Sequence, residues 1–182
     1  RAPPARLADA LLAPACPPAA ELPAQCERTT VATLVMRADL TGHPIATAQT
    51  WFIGSAWSPL VRQVTNLSTK WHLAEPTFRI TVGRQGGTPI DDLSDDDLVA
   101  ITVAELRRLG LALDPRDPII ERHRGAMPQP APGHRERMAQ LAATLDGTGL
   151  HVGGAGIDGA GVGTAIVAGH RLAHHITSEE EN

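Results

Sequence analysis

The stretch from Gly149 to Thr164, Gly-Leu-His-Val-Gly-Gly-Ala-Gly-Ile-Asp-Gly-Ala-Gly-Val-Gly-Thr, decides how the rest of the chain is interpreted. Leu150 to Val152 predicts a short buried strand, and the glycines after it predict a turn in which the backbone approaches another group closely. Val162 to Ile176 carries apolar residues near the helical period. The sequence therefore predicts a strand, a glycine turn and a helix in succession.

A helix that begins at such a turn presents unpaired backbone N–H groups and the positive end of its dipole. This arrangement suits an anionic or electron-rich ligand atom, so the stretch is a candidate cofactor site. Similar glycine spacings also occur by chance and in tight packing of a strand on a helix. No Asp or Glu follows at the ribose-binding distance of about twenty residues, so this is not the opening strand of a dinucleotide-binding fold.

Leu150 to Gly169 resembles the C-terminal flavin motif of the protoporphyrinogen/coproporphyrinogen oxidases, members of the flavin amine oxidase superfamily. In that family a Gly-Val-Gly-Ile-like turn opens the last helix, and Gly159-Ala160-Gly161-Val162 falls on this turn. Further stretches resemble the family in order and spacing over nearly the whole chain: Val64 to Trp71, Phe78 to Arg84, and Ala126 to Gln129 followed by Gly133-His134. His123 and Pro130 depart from it, because relatives commonly carry an aromatic residue at each position.

The resemblance implies an α/β fold, with an α+β substrate domain and the C-terminal strand-turn-helix of a flavin-binding Rossmann-like domain. It implies that residues 1–28 are a remnant of the FAD domain or a connector, 29–122 the substrate-binding domain, and 123–182 the C-terminal part of the FAD-binding domain. A chain of 182 residues is too short for a two-domain flavoenzyme. We therefore expect an incomplete two-domain flavoenzyme, a C-terminal fragment without the Gly-rich strand that holds the ADP half of FAD.

The function implied by the resemblance is FAD-dependent oxidation of coproporphyrinogen III or protoporphyrinogen IX to the porphyrin in haem synthesis, with oxygen as acceptor. The implied cofactor-binding residues are Gly159, Ala160, Gly161, Val162 and His123. No catalytic residue is assigned. A non-catalytic fragment or interaction domain, and another amine-oxidase-like flavoenzyme, stay open as alternatives, as does the activity of the chain on its own.

Three cations lie near the ends of two predicted strands, Val61 to Leu67 and Thr77 to Val82, which we expect to pair antiparallel. These cations are Lys70, Arg79 and Arg84. If the substrate is a porphyrinogen, they are candidates to bind its propionates, because guanidinium and ammonium groups recognise carboxylates. The alternative is that they are surface charges on a sheet edge.

Other segments predict the remaining elements of the fold. The predicted strands are Thr29 to Met36 and Ile119 to Arg122. The predicted helices are Arg1 to Leu12, a short turn from Pro17, Asp91 to Gly110 and His134 to Leu145. Ser94 and Asp97 form a capping box in the third of these, with Val99, Val103 and Leu106 as its buried stripe. Met138, Leu141, Ala142 and Leu145 are the inward positions of the last.

Several residue types are given no catalytic or metal-binding role. Cys16 and Cys26 lack ligand spacing, and His170, His174 and His175 lack a third ligand for zinc. The acidic run Asp91 to Asp97 is explained by helix electrostatics. Trp51, Phe52 and Trp57 lie in a segment, residues 43–60, whose role is open; they line a tetrapyrrole pocket or belong to the core.

The formal net charge of −4 gives no basic footprint, so we expect no nucleic-acid partner. No run of about eighteen apolar residues predicts a membrane-spanning helix. We therefore expect a cytoplasmic location. Peripheral contact with a membrane stays open. The sequence does not determine the oligomeric state.

Overall fold

The computed structural model describes residues 12–24, 26–39 and 47–180. The chain divides into two compact units. We call Thr30–Arg124 the sheet unit, and Arg1–Thr29 together with Gly125–Asn182 the helical unit. The helix predicted from Arg1 to Leu12 lies almost wholly outside the described residues, as do positions 40–46.

Helices and strands alternate irregularly along the chain, so the mixed α/β class is confirmed. In chain order the elements are α1 (Pro17–Ala24), β1 (Glu27–Arg37), β2 (Thr50–Phe52), β3 (Val61–Asn66), α2 (Leu67–Trp71), β4 (Thr77–Val82), α3 (Asp95–Arg108), β5 (Arg116–Gln129), α4 (His134–Leu145) and α5 (Val162–Glu180).

The five strands form a single sheet in the order β2-β3-β4-β1-β5. The β3–β4 pair is antiparallel, which confirms the predicted pairing, and β4 also pairs antiparallel with β1. β5 is longer than the strand predicted from Ile119 to Arg122, because it also includes the segment from His123 to Gln129. β1 contains the whole strand predicted from Thr29 to Met36.

The core of the sheet unit follows from the alternation of side chains along each strand. Leu34 and Met36 of β1 lie opposite Ile80 and Phe78 of β4, and all four are buried. Each such side chain contributes about 1.5–3 kcal/mol of hydrophobic free energy when it is fully buried. The alternate residues of both strands consequently face the other side of the sheet.

Helix α3 covers this core and is capped by Ser94 as predicted, although it begins at Asp95 and not at Asp91. The Ser94 hydroxyl accepts a hydrogen bond from the Asp97 N–H at 3.1 Å, which satisfies one of the free donors of the first turn. The buried positions include Val103 and Leu106 of the predicted stripe, while Val99 is half-buried. Leu98, which the predicted stripe omitted, is fully buried.

The connection between β3 and β4 is a short helix, α2, where we had expected a simple link from Ser68 to His72. The Asn66 side chain accepts a hydrogen bond from the Thr69 N–H at 3.0 Å and so caps this helix. His72 ends it in the left-handed conformation, with φ 54°.

The helical unit packs α1 against α4 around a small apolar core. Ala19, Ala20, Leu22, Leu141 and Leu145 are buried in it. α4 begins and ends at the predicted residues, His134 and Leu145. Met138 packs against this core as predicted, but Ala142 is exposed, so its inward position was wrong.

The strand predicted from Leu150 to Val152 was wrong, because this segment is irregular. A strand needs hydrogen bonds from a neighbouring strand, and no strand pairing of this segment occurs within the described residues. Leu150 and Val152 instead pack on the apolar core of the helical unit through their side chains.

Candidate functional site: the glycine turn and the polar sheet face

The glycine turn, Gly153 to Gly161, is closed by hydrogen bonds across its first half. The Asp158 N–H donates to the Gly154 carbonyl at 2.8 Å, and the Gly154 N–H donates to Asp158 Oδ2 at 2.8 Å. Gly154, Gly159 and Gly161 have φ of 130°, 102° and 139°. Residues with a side chain rarely adopt these backbone conformations, so the path of the backbone itself favours glycine at all three positions.

Asp158 also joins the turn to α5. Its Oδ1 accepts a hydrogen bond from Arg171 Nη2 at 2.7 Å, and the carboxylate is largely buried. Both oxygens of Asp158 are therefore engaged in holding the shape of the turn. No role was predicted for Asp158 from the sequence, although a carboxylate inside a glycine turn often accepts a hydrogen bond from a backbone N–H of the turn.

Helix α5 begins at Val162, as predicted, directly after the turn. The Ala165 N–H donates to the Gly161 carbonyl at 3.0 Å, which marks the first helical hydrogen bond there. The N–H groups that precede it have no acceptor within the helix, and Ala160 to Gly163 are exposed. The turn can therefore present backbone donors and the positive helix end to a ligand.

Space at the turn differs from one glycine to the next. A Cβ added at Gly161 would meet nothing closer than Thr164 Oγ1, at 3.7 Å. A Cβ at Gly153 would lie 2.7 Å from Leu172 Cδ1, and a Cβ at Gly156 would lie 2.7 Å from Arg28 Nη2. Gly161 thus leaves room for a ligand, whereas side chains of the protein itself lie close to Gly153 and Gly156.

The apolar residues of α5 that we had placed on a helical face are not buried. Val162 is 80% exposed and Ile166 is 57% exposed, and Val167 and Ile176 are exposed as well. Among the described residues of the helix, only Ala168 is buried. The helical period was predicted correctly, but its burial within this chain was not.

A groove of about 380 Å³ lies in the helical unit between α4, α5 and the segment that joins them. Leu141, Leu145 and Leu172 form apolar parts of its wall. His151 and His175 also line it and stack on each other, with ring centroids 6.1 Å apart and planes inclined by 17°.

His123, the fifth residue predicted to bind the cofactor, is exposed on β5. It belongs to the sheet unit, whereas Gly159 to Val162 belong to the helical unit. Its contact with a cofactor stays a prediction.

The second face of the sheet carries a row of polar residues, together with Val35 opposite Arg79. We call Thr33, Gln63, Thr65, Arg79 and Thr81 the polar face; register places Thr65 beside Arg79, and Thr81 beside both Gln63 and Thr33. These residues are half-buried, except Thr65, which is fully buried. This row of hydroxyl and amide groups was missed by the sequence analysis, although the alternation in β4 indicated it.

The three predicted cations have different surroundings. Arg79 alternates with Phe78 and Ile80 as predicted, and its Nε is buried with no hydrogen-bond partner in the described part of the chain. Lys70 is exposed, with Nζ 5.6 Å from the centre of the Trp71 ring. The Nε of Arg84 is also buried without a partner among the described residues, so Arg79 is distinguished by its place on the polar face.

Arg84 binds the protein itself. Its Nη2 donates to the Val61 carbonyl at 2.9 Å and also to the Ile53 carbonyl. Burial lowers the pKa of Arg84, and the nearby charge of Arg62 lowers it further. These contacts join the segments that carry β2 and β3, which gives Arg84 a structural role in addition to any contact with a ligand.

The remaining residues singled out in the sequence are placed as follows. Trp51 packs partly on the core, whereas Phe52 is 82% exposed and Trp57 is 71% exposed, so a core position is wrong for the latter two.

Cys16 and Cys26 are free thiols. Within the described ranges, no three His, Cys, Asp or Glu side chains lie close enough to hold a metal ion. No helix among these residues is sufficiently long and apolar to cross a membrane.

Known proteins similar in sequence carry a single name. The chain is 36% identical over 121 residues to the coproporphyrinogen III oxidase of Mycobacterium leprae, which covers 65% of the chain and 27% of that protein. The corresponding protein of Staphylococcus aureus is 30% identical over 170 residues, which covers 84% of the chain and 34% of that protein. The chain thus spans about a quarter to a third of these relatives. No protein-family model matches it.

Solved structures are similar in fold. A structure from Exiguobacterium that carries the name protoporphyrinogen oxidase aligns with a TM-score of 0.76 and 21% identity, over 96% of this chain and 40% of that one. A reduced UDP-galactopyranose mutase aligns with a TM-score of 0.54 and 14% identity, over 72% of this chain and 28% of that one. The resemblance to the C-terminal part of the protoporphyrinogen/coproporphyrinogen oxidases is confirmed by the sequence relatives and this shared fold.

Proposed function

We propose, from the relationship of this chain to the C-terminal part of the protoporphyrinogen/coproporphyrinogen oxidases, that it is part of an FAD-dependent enzyme that oxidises a porphyrinogen to the porphyrin. The substrate is coproporphyrinogen III, the acceptor is oxygen, and the reaction belongs to haem synthesis. The observation that carries this proposal is a shape-locked glycine turn at the start of α5, in a chain whose similar proteins are named coproporphyrinogen III oxidase.

The residues present fit a flavin nucleotide. The exposed backbone from Ala160 to Val162 leaves space for a ligand, and Arg28 has a buried donor without a hydrogen-bond partner among the described residues. When bound, FAD accepts hydride from the substrate. The backbone N–H groups at the start of α5 would hold it by hydrogen bonds, and the helix dipole would favour its electron-rich edge.

Asp158 and Arg171 serve the same site by position. Because the Asp158 carboxylate fixes the Gly154 N–H and is itself held by Arg171, the turn keeps its shape before a ligand arrives. Preorganisation of this kind lowers the free-energy cost of ordering the backbone on binding.

The polar face is the proposed location of substrate recognition in the sheet unit. Arg79 lies on the central strand of the sheet. Its guanidinium can donate two parallel hydrogen bonds to a propionate carboxylate. Thr81, two residues along β4, adds a half-buried hydroxyl group that suits a carboxylate or pyrrole N–H partner, whereas Thr65 beside Arg79 is fully buried and accepts a hydrogen bond from Gln63. We assign residues 29–122 to substrate binding and residues 1–28 and 123–182 to the FAD domain as part of this proposal.

The activity is proposed for a complete enzyme that contains this chain, and it is tested by turnover in air. Coproporphyrinogen III, protoporphyrinogen IX and a primary amine are offered in parallel, with porphyrin fluorescence or hydrogen peroxide as the readout. We expect FAD-dependent porphyrin formation, fastest with coproporphyrinogen III. Oxidation of the amine without oxidation of either porphyrinogen would favour an amine-acting flavoenzyme. No turnover above the spontaneous rate would favour a non-catalytic protein.

A further inference from the structure

Arg28, near the start of β1, lies against the glycine turn within the helical unit. A Cβ at Gly156 would come within 2.7 Å of Arg28 Nη2 and 3.7 Å of its Cζ. The guanidinium therefore occupies the space that a side chain at position 156 would fill. Gly156 is not among the glycines with positive φ, so a side chain there would disturb the guanidinium and not the backbone conformation.

The donors of Arg28 have no hydrogen-bond acceptor among the residues that the structure describes. Its Nε is buried without a hydrogen-bond partner, and Arg28 takes part in none of the ion pairs formed within residues 12–24, 26–39 and 47–180. A buried donor without an acceptor costs free energy, which is recovered when an oxygen atom binds there. The residue as a whole is half-buried, so part of its side chain is accessible to solvent.

The nearest acidic residue of the turn does not neutralise Arg28. Both carboxylate oxygens of Asp158 are bound elsewhere, one by the Gly154 N–H and the other by Arg171. A fixed positive charge with free donors thus stands beside a turn whose backbone N–H groups also point to an electron-rich ligand.

We infer that Arg28 is a further ligand-binding residue of the glycine turn, which donates hydrogen bonds to an oxygen acceptor of the flavin nucleotide. The acceptor is a ring carbonyl or a phosphate, because both present the partly or fully negative oxygen that a guanidinium recognises. This inference rests on the proposed function and adds to it a residue from the other end of the chain.

The test measures the dissociation constant of FAD for the complete enzyme by quenching of flavin fluorescence. Arg28→Gln removes the charge and most donors, and we expect binding to weaken by about tenfold, as for the loss of a charge-assisted hydrogen bond. Arg28→Lys keeps the charge and should lose less. The matched control is Arg135→Gln, which changes an exposed arginine of α4 and should leave affinity unchanged.

A second variant moves the guanidinium without removing it. Gly156→Ala places a methyl group where Arg28 Nη2 lies, while the backbone conformation tolerates alanine. We expect weaker FAD binding than in the parent, and no further loss when Gly156→Ala is added to Arg28→Gln, because the two changes act on one contact. Gly169→Ala is the control, since a Cβ there meets nothing within 4 Å.

FMN and riboflavin distinguish the two acceptors. If the acceptor is a phosphate, Arg28→Gln weakens FAD and FMN binding but not riboflavin binding. If it is a ring carbonyl, binding of all three weakens alike.

Parent-like FAD affinity in both Arg28→Gln and Gly156→Ala, with thermal melting unchanged, would overturn the inference and leave the proposed function standing. If Arg28→Gln does not fold, Gly156→Ala decides alone. A parent enzyme that binds no flavin would overturn both.

Discussion

Arg79 and Arg84 belong to the same stretch of the sheet unit, but their guanidinium groups have different partners. The Nε atoms of both are buried without a partner in the described part of the chain, but Arg84 Nη2 also donates to two backbone carbonyls. The sequence shows two similar cations, and only the contacts assign one to the fold and leave the other for a ligand. The two residues therefore lead to opposite expectations on mutation.

Arg79→Ala should weaken binding of the porphyrinogen substrate and leave the fold and the flavin content unchanged. A guanidinium that is desolvated on binding a propionate contributes about 1.5–3 kcal/mol, or roughly tenfold to a hundredfold in affinity. We expect KM to rise by at least about tenfold in steady-state kinetics with coproporphyrinogen III. Lys70→Ala is the control, because Lys70 is exposed. An unchanged KM in Arg79→Ala would move the propionate contacts away from the polar face.

Arg84→Ala should destabilise the protein. The Val61 and Ile53 carbonyls lose their guanidinium donor, which costs about 1–3 kcal/mol where the group stays buried. Urea unfolding followed by circular dichroism measures the loss, and Lys70→Ala should lie within about 0.5 kcal/mol of the parent. Equal stability of the two variants would show that the carbonyls are satisfied by water, and Arg84 would return to the candidates for substrate binding.

Among the elements, α4 and β4 were predicted with their observed bounds, because the signals for both lie within their own sequences. Ser94 and Asp97 fix the start of α3, and the bounds of α4 follow from its own sequence. The strand expected at Leu150 to Val152 failed because pairing depends on distant residues. The cap at Asn66 was a local signal that we missed.

The glycine turn and α5 form the element on which the cofactor proposal depends. Gly161 has φ 139°, a conformation that a branched side chain strongly disfavours. We expect Gly161→Val in the complete enzyme to abolish retention of FAD through purification, measured as the flavin absorbance per protein. Gly169→Ala, in the interior of α5, should retain the cofactor. Full flavin occupancy in Gly161→Val would remove the turn from the binding site.

The sites could be predicted from the sequence only where neighbouring residues form them. The turn from Gly159 to Val162 was identified from its glycines, and α5 begins there. The contact between Arg28 and Gly156 joins opposite ends of the chain, so no local pattern indicates it. The polar face depends on the register of three strands, which pairing alone determines.

At the scale of the whole molecule, the chain spans about a quarter to a third of its sequence relatives. We expect the 182-residue chain alone to bind FAD weakly, because the turn supplies a few hydrogen bonds and one dipole for a ligand as large as a dinucleotide. Titration of the chain with FAD should show no saturation of fluorescence quenching in the micromolar range. Submicromolar binding by the chain alone would mean that the turn and Arg28 suffice.

The most direct test of the central claim is a single anaerobic experiment on the complete enzyme. Coproporphyrinogen III is added without oxygen, and the absorbance of the bound flavin and the fluorescence of the porphyrin are recorded together. If this chain belongs to a flavin-dependent porphyrinogen oxidase, the oxidised-flavin absorbance falls when the substrate is added. Porphyrin fluorescence then appears when air is admitted and the flavin absorbance recovers, because a porphyrinogen must lose six electrons and each FAD accepts two. Porphyrin formation at the enzyme-free rate, with the flavin absorbance unchanged, would contradict the account.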